Sequence, residues 1–141
     1  MTVTLEGETA TEKLGARIAR GLHPGDAVLL SGDLGAGKTV LARGILRALG
    51  VTENVPSPTF TLVQAYDTPR GIANHFDLWR LDGPDALAEL GWDDARAGIV
   101  LVEWPDRLGG LRPADSLTVA LDYAADGSRT AELRGWEERL R

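Results

Sequence analysis

The sequence predicts an α/β protein with a mixed sheet, and three observations carry that prediction. Two apolar runs, Ala27-Val28-Leu29-Leu30-Ser31 and Ile99-Val100-Leu101-Val102, show no polar alternation, as strands covered on both faces do. The first run enters a helix through a glycine-rich turn, and strand–turn–helix units of this kind build layered α/β proteins. Between the two runs, Phe60 to Tyr66 and Ile72 to Leu78 read as strands joined by the turn Asp67-Thr68-Pro69-Arg70-Gly71. That hairpin-like pair makes the sheet mixed rather than wholly parallel.

The remaining elements follow in order. Val3 to Leu5 alternates with polar neighbours as a short edge strand. Thr9 to Arg20 reads as a helix, with Leu14 and Ile18 on one face, Thr9 or Thr11 available to cap it, and Gly21 after its end. His23-Pro24-Gly25-Asp26 is a turn. From Lys38 to Leu49, the residues Leu41, Ile45, Leu46 and Leu49 recur at helical spacing, and Gly50 closes that helix. Pro84 to Leu90 predicts a short helix with Pro84 in its first turn. Leu117 to Tyr123 alternates as a strand, Thr130 to Leu133 offers another, and the last residues read as a charged tail. No internal repeat, low-complexity tract or linker interrupts the chain.

Composition narrows the function classes. A chain of 141 residues suits one domain with one real core. Cysteine is absent, which removes disulfides, zinc thiolates and thiol catalysis. No apolar run approaches the roughly 20 residues of a membrane helix, and no basic-then-apolar leader opens the chain, so a cytoplasmic address is expected. The net charge is −6, with 21 Asp and Glu against 15 Lys and Arg. That balance disfavours unaided tight binding to nucleic acid, which calls for a basic face.

The chemistry concentrates in Gly32-Asp33-Leu34-Gly35-Ala36-Gly37-Lys38-Thr39, a phosphate-binding loop. Its glycines let successive backbone N–H groups converge on phosphate oxygens, and the following helix start adds partial positive charge. Lys38 is placed to reach the outer phosphates, and the Thr39 hydroxyl to bind Mg²⁺. A glycine-rich turn opening an ordinary helix is the plainer alternative, but the apolar strand before it and the amphipathic helix after it favour a nucleotide site. Phosphoryl chemistry also needs a carboxylate for the metal or its waters. Glu103, at the end of the second apolar run, is the stronger candidate, and Asp77, after Asn74-His75-Phe76, is the other. Ser57-Pro58-Thr59-Phe60-Thr61 offers hydroxyls that could sense a terminal phosphate as switch loops do, or it is a simple proline turn. His75 reads as a packed imidazole, and Trp104 either fills the core or stacks on a base.

Four motifs in order, GDLGAGKT from Gly32, SPTFTL from Ser57, HFDLWRL from His75 and VEWP from Val102, give a resemblance covering about Glu8 to Tyr123. The chain resembles the TsaE family, small bacterial P-loop ATPases of tRNA threonylcarbamoyladenosine biosynthesis. The resemblance implies a three-layer P-loop NTPase-like α/β fold in a single domain with a mixed central sheet. It implies hydrolysis of ATP, with Mg²⁺, that supports but does not perform transfer of the threonylcarbamoyl group to an adenosine beside the anticodon. The implied partners are the TsaD transferase and its companion TsaB, with tRNA met only indirectly. Carried over by motif, Asp33 to Thr39 wrap the phosphates, Thr39 and Glu103 hold Mg²⁺, and Asp77 assists the metal or the attacking water. Thr59 and Thr61 occupy the switch-like segment, while Thr11 and Trp104 fall toward the adenine side. Two departures stand out: Trp79 replaces the usual Tyr of a DLYRL motif, and Val40 follows Thr39 where a second Thr is common.

Two other classes compete. A small-molecule kinase would bring arginines over the phosphates on a lid, whereas Arg80, Arg107 and Arg129 are scattered. A nucleotide switch without hydrolysis would not need both Asp77 and Glu103. No guanine-reading Asn-Lys-x-Asp segment is present, which favours adenine.

Overall fold

A computed structural model describes residues 1–33, 36–56, 62–123, 126, 128–136 and 138–140. Seven strands form one sheet: β1 (Thr2–Leu5), β2 (Ala27–Ser31), β3 (Val63–Thr68), β4 (Gly71–Asp77), β5 (Ile99–Glu103), β6 (Leu117–Tyr123) and β7 (Arg129–Arg134). Their spatial order is β1-β7-β6-β2-β5-β4-β3. The four central strands β6, β2, β5 and β4 run parallel, and antiparallel partners flank them, β7 and β1 on one side and β3 on the other. The sheet is therefore mixed, and the parallel centre is where both faces are covered.

The two unalternating runs divide their side chains between two cores. Val28, Leu30, Ile99 and Leu101 face the layer formed by α1 (Gly7–Arg20) and α2 (Lys38–Ala48). Ala27, Leu29, Val100 and Val102 face a second cluster with Phe76, Leu87, Trp92 and Leu108. That second layer is built from short pieces: a 3₁₀ segment Pro84–Leu90, the one-turn α3 (Trp92–Ala95) and a 3₁₀ segment Pro105–Leu111. Two helical layers around a sheet make the architecture three-layered. β6 alternates as expected, with Leu117, Val119 and Leu121 on the α1/α2 side.

Several local expectations shift. The hairpin strand begins at Val63 and extends to Thr68, because Thr68 pairs with Gly71 across a two-residue turn. The Thr68 hydroxyl donates to the Gly71 carbonyl at 2.7 Å and accepts from the Arg70 N–H, which closes that turn tightly. The first helix starts at Gly7 with Glu6 at its N-cap position, and no side chain caps it. Pro84 to Leu90 is helical but of the tighter 3₁₀ kind. The charged tail is not loose: Trp136 and Leu140 are buried in the α1/α2 core. Arg17 donates twice to the Leu140 carbonyl, while Arg139 pairs with Asp26 and lies over the Trp136 ring.

α1 and α2 approach to backbone contact. A methyl group at Gly15 would lie 2.8 Å from the Gly44 carbonyl carbon and 2.8 Å from the Ile45 nitrogen. This close crossing seats α2, and with it the loop that begins α2, firmly against the sheet.

Candidate functional site

The phosphate loop connects β2 to α2 and lies at the carboxyl end of the parallel strands, where open α/β sheets bind ligands. Its first glycine is required sterically. Gly32 has φ +139°, and a Cβ there would sit 2.5 Å from the Leu121 carbonyl oxygen of neighbouring β6. Gly37, in the left-handed region at φ +105°, is the N-cap residue of α2 and turns the chain into the helix. Ala36 is buried beneath the loop, and its N–H bonds the Asp33 carbonyl at 3.1 Å. Leu34 and Gly35 lie outside the described residues, as do Thr59 and Thr61 of the switch-like segment.

Lys38 is buried, and its ammonium folds back over its own loop. Nζ donates to the carbonyls of Gly32 and Asp33, the latter at 2.9 Å. On its other side it lies 4.1 Å from the centroid of the Trp104 ring. Burial pulls this ammonium below the ordinary lysine range, against the opposing pull of the Glu103, Asp77 and Asp33 carboxylates.

Glu103 stands at the end of β5, 3 % exposed. The Thr39 hydroxyl, in the first turn of α2, is 3.1 Å from both Glu103 carboxylate oxygens. His75 reaches the same carboxylate from β4, its Nε2 2.7 Å from Glu103 Oε2. An ionised carboxylate only accepts, so this contact places the ring proton on Nε2. The other ring nitrogen, Nδ1, is buried and has no hydrogen-bond partner among the described residues. His75 is thus more than a packed imidazole: it fixes the carboxylate that faces Thr39. Strand pairing explains the meeting, since β4 and β5 run parallel with Asp77 beside Glu103, and residues 75, 77 and 103 share the α2 face. Asp77 is 5 % exposed, and one of its oxygens accepts the Trp79 N–H at 3.0 Å.

Trp104 follows Glu103 with a left-handed backbone, φ +61° and ψ +56°. That turn swings the indole over Lys38. Trp79, 38 % exposed, packs against it with ring centroids 4.4 Å apart and planes tilted by 47°. Trp104 therefore meets the lysine end of the loop. Thr11 is buried in α1, where its hydroxyl bonds the Gly7 carbonyl at 3.4 Å.

A hydroxyl and a carboxylate converging at hydrogen-bond distance are hard oxygen donors, the kind that would suit Mg²⁺ if phosphate oxygens and waters supplied its other ligands. Among the described residues no group of three or more His, Asp and Glu could hold a metal by itself. A metal here would lean on ligand phosphates.

A sequence model of the family described as "Threonylcarbamoyl adenosine biosynthesis protein TsaE" matches residues 5–131. The chain belongs to the TsaE family. Among TsaE relatives, the protein of Nostoc sp. is 38 % identical over 136 residues, covering 93 % of this chain and 83 % of its own. The TsaE of Haemophilus influenzae is 42 % identical over 122 residues, covering 84 % of this chain and 77 % of its own. Both are named tRNA threonylcarbamoyladenosine biosynthesis proteins. The crystal structure of Bacillus subtilis YdiB superposes with a TM-score of 0.79 at 27 % identity, covering 99 % of this chain and 88 % of that one. TsaE membership agrees with the P-loop NTPase-like sheet, and none of the helices described is long and apolar enough to cross a membrane.

Proposed function

We propose that this protein binds ATP with Mg²⁺ and hydrolyses it in support of threonylcarbamoyl transfer to tRNA adenosine, acting on a TsaD–TsaB complex rather than on tRNA directly. The observation that carries the nucleotide reading is the Thr39–Glu103 contact at the foot of the phosphate loop, with Lys38 beside it. The family membership and the names of its relatives support the tRNA-modification part.

In this reading each residue has a defined task. Backbone N–H groups of the loop and the start of α2 receive the phosphate chain. Lys38 leaves the Gly32 and Asp33 carbonyls to neutralise the outer phosphates. The Thr39 hydroxyl and Glu103 would hold the metal, with His75 keeping the Glu103 carboxylate aimed. Mg²⁺, when bound, neutralises charge developing on the transferred phosphoryl group. Asp77, on the neighbouring strand, orients the attacking water or a water of the metal shell. The acidic balance of the chain suits a protein that meets a protein complex and touches tRNA only through it.

The test is ATP turnover by the purified protein, alone and with TsaD and TsaB. Slow turnover alone and stimulation by the pair is the expected result. Turnover no greater than that of Lys38→Ala under both conditions refutes the reading.

A further inference from the structure

Arg129 opens β7 and is remote in sequence from every motif of the site. In space it abuts the phosphate loop: a Cβ built on Gly37 would lie 3.5 Å from Arg129 Nη1. Its guanidinium rests over the Tyr123 ring, 5.5 Å from the centroid. Among the described residues, Arg17, Arg43, Arg47, Arg70, Arg96 and Arg139 each donate to backbone carbonyls. Among the described residues, Arg129 has neither a carboxylate nor a hydrogen-bond acceptor for its guanidinium. A partly buried cation beside a phosphate-binding turn, in a chain of net charge −6, is placed for an anion.

The strand order says which part of the anion. Glu103 and Asp77 reach the loop from β5 and β4, on one side of β2. Arg129 reaches it from the other side, beyond β6. The metal-binding pair and the Lys38–Trp104 contact mark the end that takes the terminal phosphates. Arg129 therefore flanks the opposite end, where the phosphate chain joins the nucleoside.

We propose that Arg129 is a second phosphate-binding cation of the nucleotide site, gripping the nucleoside-proximal phosphates, with Tyr123 as the platform that orients its guanidinium. The proposal rests on the nucleotide reading given above. It distinguishes this cation from Lys38 by ligand: Arg129 serves ATP and ADP alike, whereas Lys38 favours the longer chain.

Calorimetric titration of the full chain with ATP and with ADP, with and without Mg²⁺, tests it. Arg129→Gln is expected to weaken both nucleotides by a similar factor, roughly ten- to a hundredfold for one charge-assisted contact, whether or not Mg²⁺ is present. Arg129→Lys should recover only part of the loss, because an ammonium keeps the charge but not the planar fork. Tyr123→Leu, which removes the ring beneath the guanidinium, should weaken both by roughly two- to fivefold, and it stands in if Arg129→Gln does not fold. If Arg129→Gln, or in its place Tyr123→Leu, binds both nucleotides as wild type does while Lys38→Ala is weakened for ATP, the Arg129 assignment falls and the phosphate site stands. If the wild-type protein binds neither nucleotide, the underlying reading itself falls.

Discussion

Replacing Gly15 by alanine sets two known effects against each other. In an ordinary helix the change is favourable by about 1 kcal/mol, because glycine carries a backbone entropy penalty. Here the new methyl would sit 2.8 Å from two backbone atoms of α2. An ordinary carbon contact is about 3.5–4.0 Å, so the shortfall is roughly 1 Å. Neither obstructing atom belongs to a side chain that could change rotamer, so relief requires α1 and α2 to move apart. Overpacking of this kind costs about 1–3 kcal/mol, and an obstruction made of backbone points to the upper part of that range. Net destabilisation of about 1–2 kcal/mol is expected. For a chain of this length that is a fall in melting temperature of about 3–8 °C, read by circular dichroism or calorimetry. Gly44→Ala, whose methyl would meet the Glu12 Cα at 3.1 Å, should be milder. A Gly15→Ala protein that melts at or above the wild-type temperature refutes the argument, since propensity would then have won.

Three further outcomes are expected. Lys38→Met should abolish nucleotide-induced stabilisation yet raise the stability of the ligand-free protein at neutral pH, because burial disfavours the charged amine. The unfolded chain holds that proton more firmly than the folded one, so wild-type stability rises with pH as the ordinary lysine range is approached, and the gap between the two proteins should narrow there; a gap independent of pH in denaturant melts contradicts this. His75→Leu should lower the Mn²⁺ affinity of the nucleotide complex by roughly tenfold or more, measured by paramagnetic resonance titration, with His75→Gln losing less because its amide can still donate; unchanged affinity would show that Glu103 needs no support. Lys38 lies on Trp104, and under the proposed function ATP would draw it away, so tryptophan emission should change on adding ATP and Trp104→Phe should remove most of that change; a full response from the variant places the reporter elsewhere.

The sequence made the centre of this molecule legible for a simple reason: β2 and β5 are covered on both faces, so their apolar runs could hardly be read otherwise. The glycine turn after β2 and the acid at the end of β5 then located the loop and Glu103. What escaped was whatever depends on register or on distant chain segments. The His75–Glu103 contact arises because β4 lies parallel to β5 with residues 77 and 103 side by side, a pairing that spacing along the chain does not reveal. Arg129 looked scattered because β7 returns antiparallel along β6 and delivers its first residue to the loop. The second helical layer was under-read since it is made of short 3₁₀ pieces, too brief for a helical period to register. The tail looked merely charged, because the two apolar residues that anchor it, Trp136 and Leu140, stand among Arg and Glu.

The resting posture of Lys38 has a consequence for which molecules the site admits. Its ammonium already holds two carbonyls and lies on an indole. A newcomer must replace all three contacts at once. Orthophosphate brings one cluster of charge and few other contacts, and so gains little over the arrangement it displaces. Under the proposed function a nucleotide would bring a chain of phosphates to the amides of the loop, and that joint grip would outweigh the lysine's own attachments. On that same reading the loop would screen its visitors by valency, turning away the small and abundant anion before any base is read.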